Sequence, residues 1–462
     1  MKVAMRRWIL AAAMLSAFST HAAEEQIEMK PPPRVEEALD IAEVPSDFPV
    51  GFCLLTNGRR QYVAYYDKHR RMTVASRTID SNKWQYQVLP SNVGWDSHNY
   101  ITMAVDDDGR LHLSGNMHCV PLIYFRTSKP WNIATLEQLS AMTGKDEKQC
   151  TYPTFMRDAD NRLIFHYRDG AYAGGNEIYN VYDLKTKTWK RLLDKPLTDG
   201  EGRLYTYFFG PLRSPDGWFH IVWVWRDTAD CATNHHLSYA RSRDLRHWES
   251  VSGKKAKLPI TLNNKSLWID PIPSGGGILN GCQTLAFDQD NRPIVTYHKS
   301  DSNGNMQIYA TRFENGRWVQ HLLTNWSKPV TFSGKGTMGF IGKGSGFIGI
   351  AISGLTRVAP GTLTMTFDHR DYGSGRLVID EATLRPINRK IALANEYPNE
   401  LERPQIDFEG IGIQRAGDIG RSGEDGIRYI LQWETLPSNQ DSPRKSPLPK
   451  PSMLKLYKLS SK

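Results

Sequence analysis

The stretch KQCTYPTFMRDADNRLIFHYRDG (148–170) has a second copy further along the chain, GCQTLAFDQDNRPIVTYHKSD (281–301). In each, an apolar-rich segment meets a turn of the form Asp-x-Asp-Asn-Arg and leaves it as a run of β-branched and aromatic residues. Turn residues of this kind between two such runs read as a β-hairpin. The same unit recurs outward from these two, in TNGRRQYVAYYD (56–67), DDDGRLHLSGN (106–116) and SPDGWFHIVWVWRD (214–227). Each therefore marks the junction between a first and a second strand.

A tryptophan after a polar turn follows four of these hairpins: Trp84, Trp189, Trp248 and Trp318. Tyr152 to Trp189 spans 37 positions and Cys282 to Trp318 spans 36. Four short strands fit that distance, and a unit of this length repeated along a chain without sustained helical periodicity is the signature of propeller blades. The expectation is an all-β fold, a single-domain seven-bladed β-propeller over 46–462. Blades are placed near 46–90, 93–145, 150–195, 204–260, 275–325 and 330–368. The remainder, 369–462, closes the ring with a polar insertion, SNQDSPRKSPLPKPS (438–452), before a last strand MLKLYKL (453–459). A pair of β-sandwiches is the competing architecture, but sandwiches do not repeat a turn-plus-Trp pattern at fixed offset.

The first residues, MKVAMRRWILAAAMLSAFSTHAAEE, give a basic start, an apolar stretch and small residues near Ala22 and Ala23. This is the layout of a cleaved secretory signal over 1–23, so a secreted protein, extracellular or periplasmic, is expected, with no membrane span. Residues 24–45, with three consecutive prolines, read as an exposed leader. The formal charge of +9 falls to about +6 without Lys2, Arg6 and Arg7. That balance suits an anionic partner. The basic residues are dispersed rather than clustered, which argues against nucleic acid. Five cysteines in 462 residues are too few for a disulfide framework, although Cys119 and Cys150 could form one bridge.

The two quoted hairpins differ at their polar ends. One carries Tyr152 and Arg168 where the other carries Cys282 and His298. Aligned on their turns, the hairpins put His98, Tyr152, Tyr207 or Phe208, and Cys282 near the start of the first strand. His118, Arg168, Arg226 and His298 then fall at the end of the second. A propeller brings these ends to one mouth of its channel, giving a funnel of imidazole, phenol, guanidinium and thiol groups. Such a set suits β-elimination on a uronic acid polymer. An arginine neutralises the carboxylate so that the C5 proton becomes acidic, and a base and an acid then transfer protons at C5 and O4. Arg168 is the candidate neutraliser, since its fork can hold a carboxylate bidentately. His98 and Tyr152 are the candidate base and acid in either order; for Tyr152 to act as base, the neighbouring arginine must depress its pKa. His118, Tyr207 and Arg226 are expected to bind substrate.

WDSHNYI (95–101) followed by GNMHCVP (115–121), then TYPTF and FHYRDG, VWVWRDT, and TYHKSDSNGNMQIYATR (296–312) resemble the BNR-repeat secreted polysaccharide lyases. The similarity is to the ulvan lyases of polysaccharide lyase family 25, with family 24 related. The resemblance implies a seven-bladed propeller that cleaves a sulfated rhamnose–uronic acid polysaccharide, using a His, a Tyr and an Arg at positions matched by His98, Tyr152 and Arg168. Endo-type cleavage of ulvan, without a cofactor for the chemistry, is the activity expected. Cys231, His235 or His236, Cys282 and His298 together offer a tetrahedral zinc complement. The resemblance adds that a structural metal is found in such lyases. SRDLRHW (242–248) resembles a degenerate Asp box, which keeps a sialidase-like hydrolase open as an alternative, together with a non-catalytic glycan-binding propeller.

Overall fold

The computed structural model of the chain describes residues 31–171, 174–332, 348–389, 391 and 396–461. The expected signal segment and part of the sixth expected blade, 333–347, lie outside the described residues. Seven antiparallel sheets of four or five strands are present among them. Six run in chain order: 53–92, 101–139, 118–191, 205–270, 284–322 and 350–386. A closing sheet joins Arg34–Val44 to three strands from the other end of the chain, Gly412–Gly417, Ile427–Thr435 and Ser452–Ser460.

The hairpins form for a local reason. Asp158 accepts the N–H groups of Asp160 and Arg162 on one carboxylate oxygen, at 3.0 and 2.8 Å. Asp288 does the same for Asp290 and Arg292, at 3.0 and 2.9 Å. The third position after each aspartate turns left-handed, with φ of 64° at Asn161 and 60° at Asn291. Asparagine tolerates that conformation, which fixes the turn and with it the register of the two strands.

The strand after each turn is buried on both faces. Every residue of Phe219–Arg226 is buried, as are Leu163–Arg168 and Pro293–His298. The core is divided into layers between successive sheets. Tyr124, Tyr167 and Trp189 fill the space between the second and third. Trp223, Trp225 and Trp248 pack with Leu192 and Leu204 between the third and fourth. Val222, Tyr239 and Tyr297 join the fourth to the fifth. This face-to-face stacking of twisted sheets is a β-propeller. Trp189, Trp248 and Trp318 all lie on the outermost strand of a sheet and Trp84 immediately before one, so the tryptophan marker reports entry into the fourth strand. Among the described residues no helix is long and apolar enough to cross a membrane.

Three expectations are corrected here. Arg34–Val44, expected within the exposed leader, is an 11-residue strand paired along its length with Ser452–Ser460. Its Val-Glu-Glu-Ala-Leu-Asp-Ile pattern buries only one side, and its partner is at the far end of the sequence. The sixth sheet extends to Pro386 rather than ending near 368. Cys119 and Cys150 form no bridge; all five cysteines are free.

Candidate active site

At one end of the sheets a cavity of about 510 Å³ is lined by His98, His118, Tyr152, Arg168, Tyr207 and Arg226. All six catalytic and substrate-binding residues expected from the sequence thus converge. Tyr152 reaches the cavity through an irregularity in its strand. The pairing of Cys150–Arg157 with its neighbour slips between Thr151 and Thr154, and Tyr152 has φ of 58°. A bulky residue with positive φ ahead of a proline is strained, and bulges that re-aim a side chain recur beside active sites.

Arg168 is 3% exposed and lies between two rings, its guanidinium carbon 4.9 Å from the centroid of Tyr152 and 5.2 Å from that of Tyr207. Its Nε and Nη1 are buried without a hydrogen-bond partner. A buried guanidinium is ordinarily paired, so the two orphan nitrogens mark Arg168 as ready for an anion. Arg226 differs, because its Nε donates to the Thr228 carbonyl at 2.7 Å and its Nη1 to the Tyr207 hydroxyl at 3.3 Å. That second bond fixes the Tyr207 ring over Arg168.

Opposite the arginines stands an imidazole pair. The rings of His98 and His118 are 4.2 Å apart, and each Nδ1 lies 2.6 Å from a separate oxygen of Asp96. His118 departs from its expected place: it is not the end of the second strand of its own sheet, Leu111–Gly115. Instead, His118–Val120 pairs with Cys150–Arg157 as the innermost strand of the next sheet. Asp441 also approaches His98, with 3.3 Å between Oδ2 and Nδ1. Burial alone would lower the pKa of His98, but hydrogen bonds to Asp441 and Asp96 outweigh it and raise the value to about 9. For Asp96, burial opposes ionisation, yet the two histidines and the His98 N–H hold its carboxyl well below the usual range.

The condition set for Tyr152 to act as base, a pKa depressed by the neighbouring arginine, is not met. Burial raises its pKa to about 12, with Arg168 opposing but not prevailing. Desolvation of the phenolate is the larger effect, although the half-buried ring still lines the cavity.

The expected zinc complement does not assemble. His235 directs Nε2 to Asp227 at 3.0 Å and Nδ1 to His236 at 2.7 Å. Nδ1 of His298 is bound to the Gly277 carbonyl at 2.9 Å, and burial lowers that ring's pKa to about 4. Cys231 lines the cavity, whereas Cys282 and His298 do not. Among the described residues, the only three side chains of ligating type with donor atoms within 4.8 Å of one another are Asp96, His98 and His118, and there the carboxylate already bonds both rings. Cys231, His235, Cys282 and His298 therefore do not fit a tetrahedral ion in this arrangement.

The description "BNR repeat-containing family member" matches residues 60–326, more than half of the chain. The chain belongs to the BNR repeat-containing family. Among solved structures, this BNR-repeat protein is similar to the polysaccharide lyase Uly1 at 13% identity and a TM-score of 0.59, covering 93% of this chain and 100% of the other. It is also similar to a family 25 ulvan lyase bound to -[GlcA(1-4)Rha3S]-, at 12% identity and a TM-score of 0.58, covering 92% and 96%. A further family 25 ulvan lyase structure gives 12% identity and a TM-score of 0.56, covering 95% and 96%. At this identity the likeness establishes the propeller fold of the BNR-repeat chain. No curated protein matches its sequence.

Asp96, Asp441, Ser97 and Asn280 were not singled out from the sequence, yet all four bear on the site. Asp96 had a signal, being two residues before His98 in WDSH.

Proposed function

We propose that this protein is an ulvan lyase: a polysaccharide lyase that cleaves a sulfated rhamnose–uronic acid polymer by β-elimination after export from the cytoplasm. The observation that carries the reading is the buried, unpartnered guanidinium of Arg168 beside an imidazole and a phenol in one cavity. A uronate carboxylate on Arg168 would satisfy those nitrogens and delocalise the charge that develops when C5 loses its proton.

The proton inventory supports an order for the two transfer groups. Tyr152 holds its proton to about pH 12 and suits the acid. His98 has Nδ1 committed to carboxylates, which leaves Nε2 as the basic nitrogen. In the proposed step, Nε2 takes the C5 proton, the C5–H electron pair becomes the C4–C5 double bond, and the C4–O4 bond breaks. Tyr152 donates its proton to the departing O4. The enzyme is left with imidazolium and phenolate, and a proton passing between rings 6.1 Å apart restores both. Arg226 and Tyr207 suit a neighbouring anionic group on the polymer, and His118 a hydroxyl. The similarity in fold to two ulvan lyase structures bears on the choice of polymer.

The test is ultraviolet absorbance on ulvan. An unsaturated uronate that accumulates with the wild type and not with Arg168→Ala supports the reading. New reducing ends without that absorbance would support a hydrolase, and binding without any product a glycan-binding propeller.

A further inference from the structure

The polar insertion that separates the last two strands of the chain does more than cover a surface. Its residue Asp441 enters the cavity, where one carboxylate oxygen accepts both the N–H and the hydroxyl of Ser97 at 2.8 Å. The other oxygen lies 3.3 Å from Nδ1 of the adjacent His98. The backbone is bent to reach this point, with φ of 54° at both Gln440 and Asp441. Two successive left-handed residues other than glycine store strain that the contacts at their tip must offset.

We infer that Asp441 is a positioning residue for His98, with the insertion acting as an arm that locks the imidazole by its Nδ1 edge and presents Nε2 for proton transfer. The inference rests on the lyase reading for the purpose of that proton transfer, but the contact itself is independent of it. Asp96 makes the shorter contact but divides its charge between two rings at equal distance, whereas Asp441 faces His98. Asp96 gives one oxygen to each ring and so holds the two alike; the second carboxylate, Asp441, approaches His98 alone and adds to its hold there. The ionisable groups facing His98 are Asp96 from its own loop, His118 from the adjoining short strand, Tyr152 from the third sheet and Asp441 from the insertion. Two of these four are carboxylates, so removing one removes half of the negative charge that holds the ring protonated.

The experiment follows the His98 ring directly, by nuclear magnetic resonance titration of histidine-labelled protein, with the signal assigned by its loss in His98→Gln. In Asp441→Asn the His98 midpoint is expected to fall by about one pH unit or more, and Asp441→Glu is expected to recover part of the fall. Ser97→Ala, which removes one anchor of Asp441 and no charge, is expected to move the midpoint the same way by less, and it serves if the Asn variant fails to fold. The pH dependence of kcat/KM on a polymer that the wild type cleaves should shift with the midpoint. An unchanged midpoint in Asp441→Asn and Ser97→Ala overturns the inference even if the protein is a lyase. A shifted midpoint in a protein that cleaves no uronate polymer keeps Asp441 on His98 and sinks the lyase reading alone.

Discussion

Arg168 lies over the ring of Tyr152 at 4.9 Å, with two of its nitrogens buried and unpartnered. The stacking leaves the guanidinium held by π faces, which supply no acceptor oxygen. Arg168→Lys keeps the charge and loses the fork, so it tests bidentate recognition rather than charge. On a uronate polymer, Arg168→Ala is expected to lower kcat by about 10²–10³-fold and Arg168→Lys by a lesser amount. A Lys variant equal to wild type would show that a point charge is enough.

Tyr152→Phe keeps the ring against Arg168 and removes the proton. It is expected to lower kcat about 10²–10⁴-fold while leaving KM within a few-fold. Thermal unfolding of the variant should match the wild type, because the Tyr152 hydroxyl makes no hydrogen bond among those observed. Retained turnover in Tyr152→Phe would move the acid role to another group.

What could be read from the sequence was what chemistry fixes locally. Asp158 and Asp288 build their turns from bonds two and four residues away, so the hairpins, their register and the equivalence of Tyr152 with Cys282 follow from short stretches. The convergence of His98, Tyr152, Arg168 and Arg226 then follows from the repeat itself. Long-range facts were not legible. Asp441 meets Ser97 across 344 positions, and nothing in SNQDSPRKS says which cavity it enters. Arg34–Val44 finds its partner strand at the other end of the chain, while its preceding prolines suggest an extended leader. The zinc set was not decidable from spacing, because Nδ1 of His298 and both ring nitrogens of His235 are taken by Gly277, Asp227 and His236, partners that only the folded chain brings to them. Burial decided the Tyr152 pKa against Arg168, and burial is a tertiary quantity.

Activity should report the titration of His98. As base it must be neutral, and its pKa is raised to about 9. The limb of kcat/KM is therefore expected to rise with pH through about 9 and to level above it, while Tyr152, at about 12, keeps its proton across that range. If His98 served as the acid, the same limb would fall above about 9. A profile between pH 6 and 10.5 distinguishes the two by sign, provided the protein stays folded, which circular dichroism checks.

Stability should follow another histidine. His220 is 2% exposed, with Nδ1 2.6 Å from the Tyr239 hydroxyl and Nε2 3.0 Å from the Ser214 hydroxyl. Burial lowers its pKa to about 4. The folded state therefore holds the neutral ring, whereas the unfolded chain takes up a proton near the ordinary value of about 6.5. The stabilisation is complete above pH 6.5 and is lost as pH falls from there through about 4. Linkage puts the loss between pH 7.5 and 4.5 on the order of 2–3 kcal/mol for this one group. His220→Gln should cost stability at pH 7.5, by disturbing two buried hydrogen bonds, yet lose less on acidification. Urea unfolding of both proteins at the two pH values measures the difference. An equal loss in wild type and variant would mean that His220 is already protonated in the fold, with Tyr239 as well as Ser214 accepting from it.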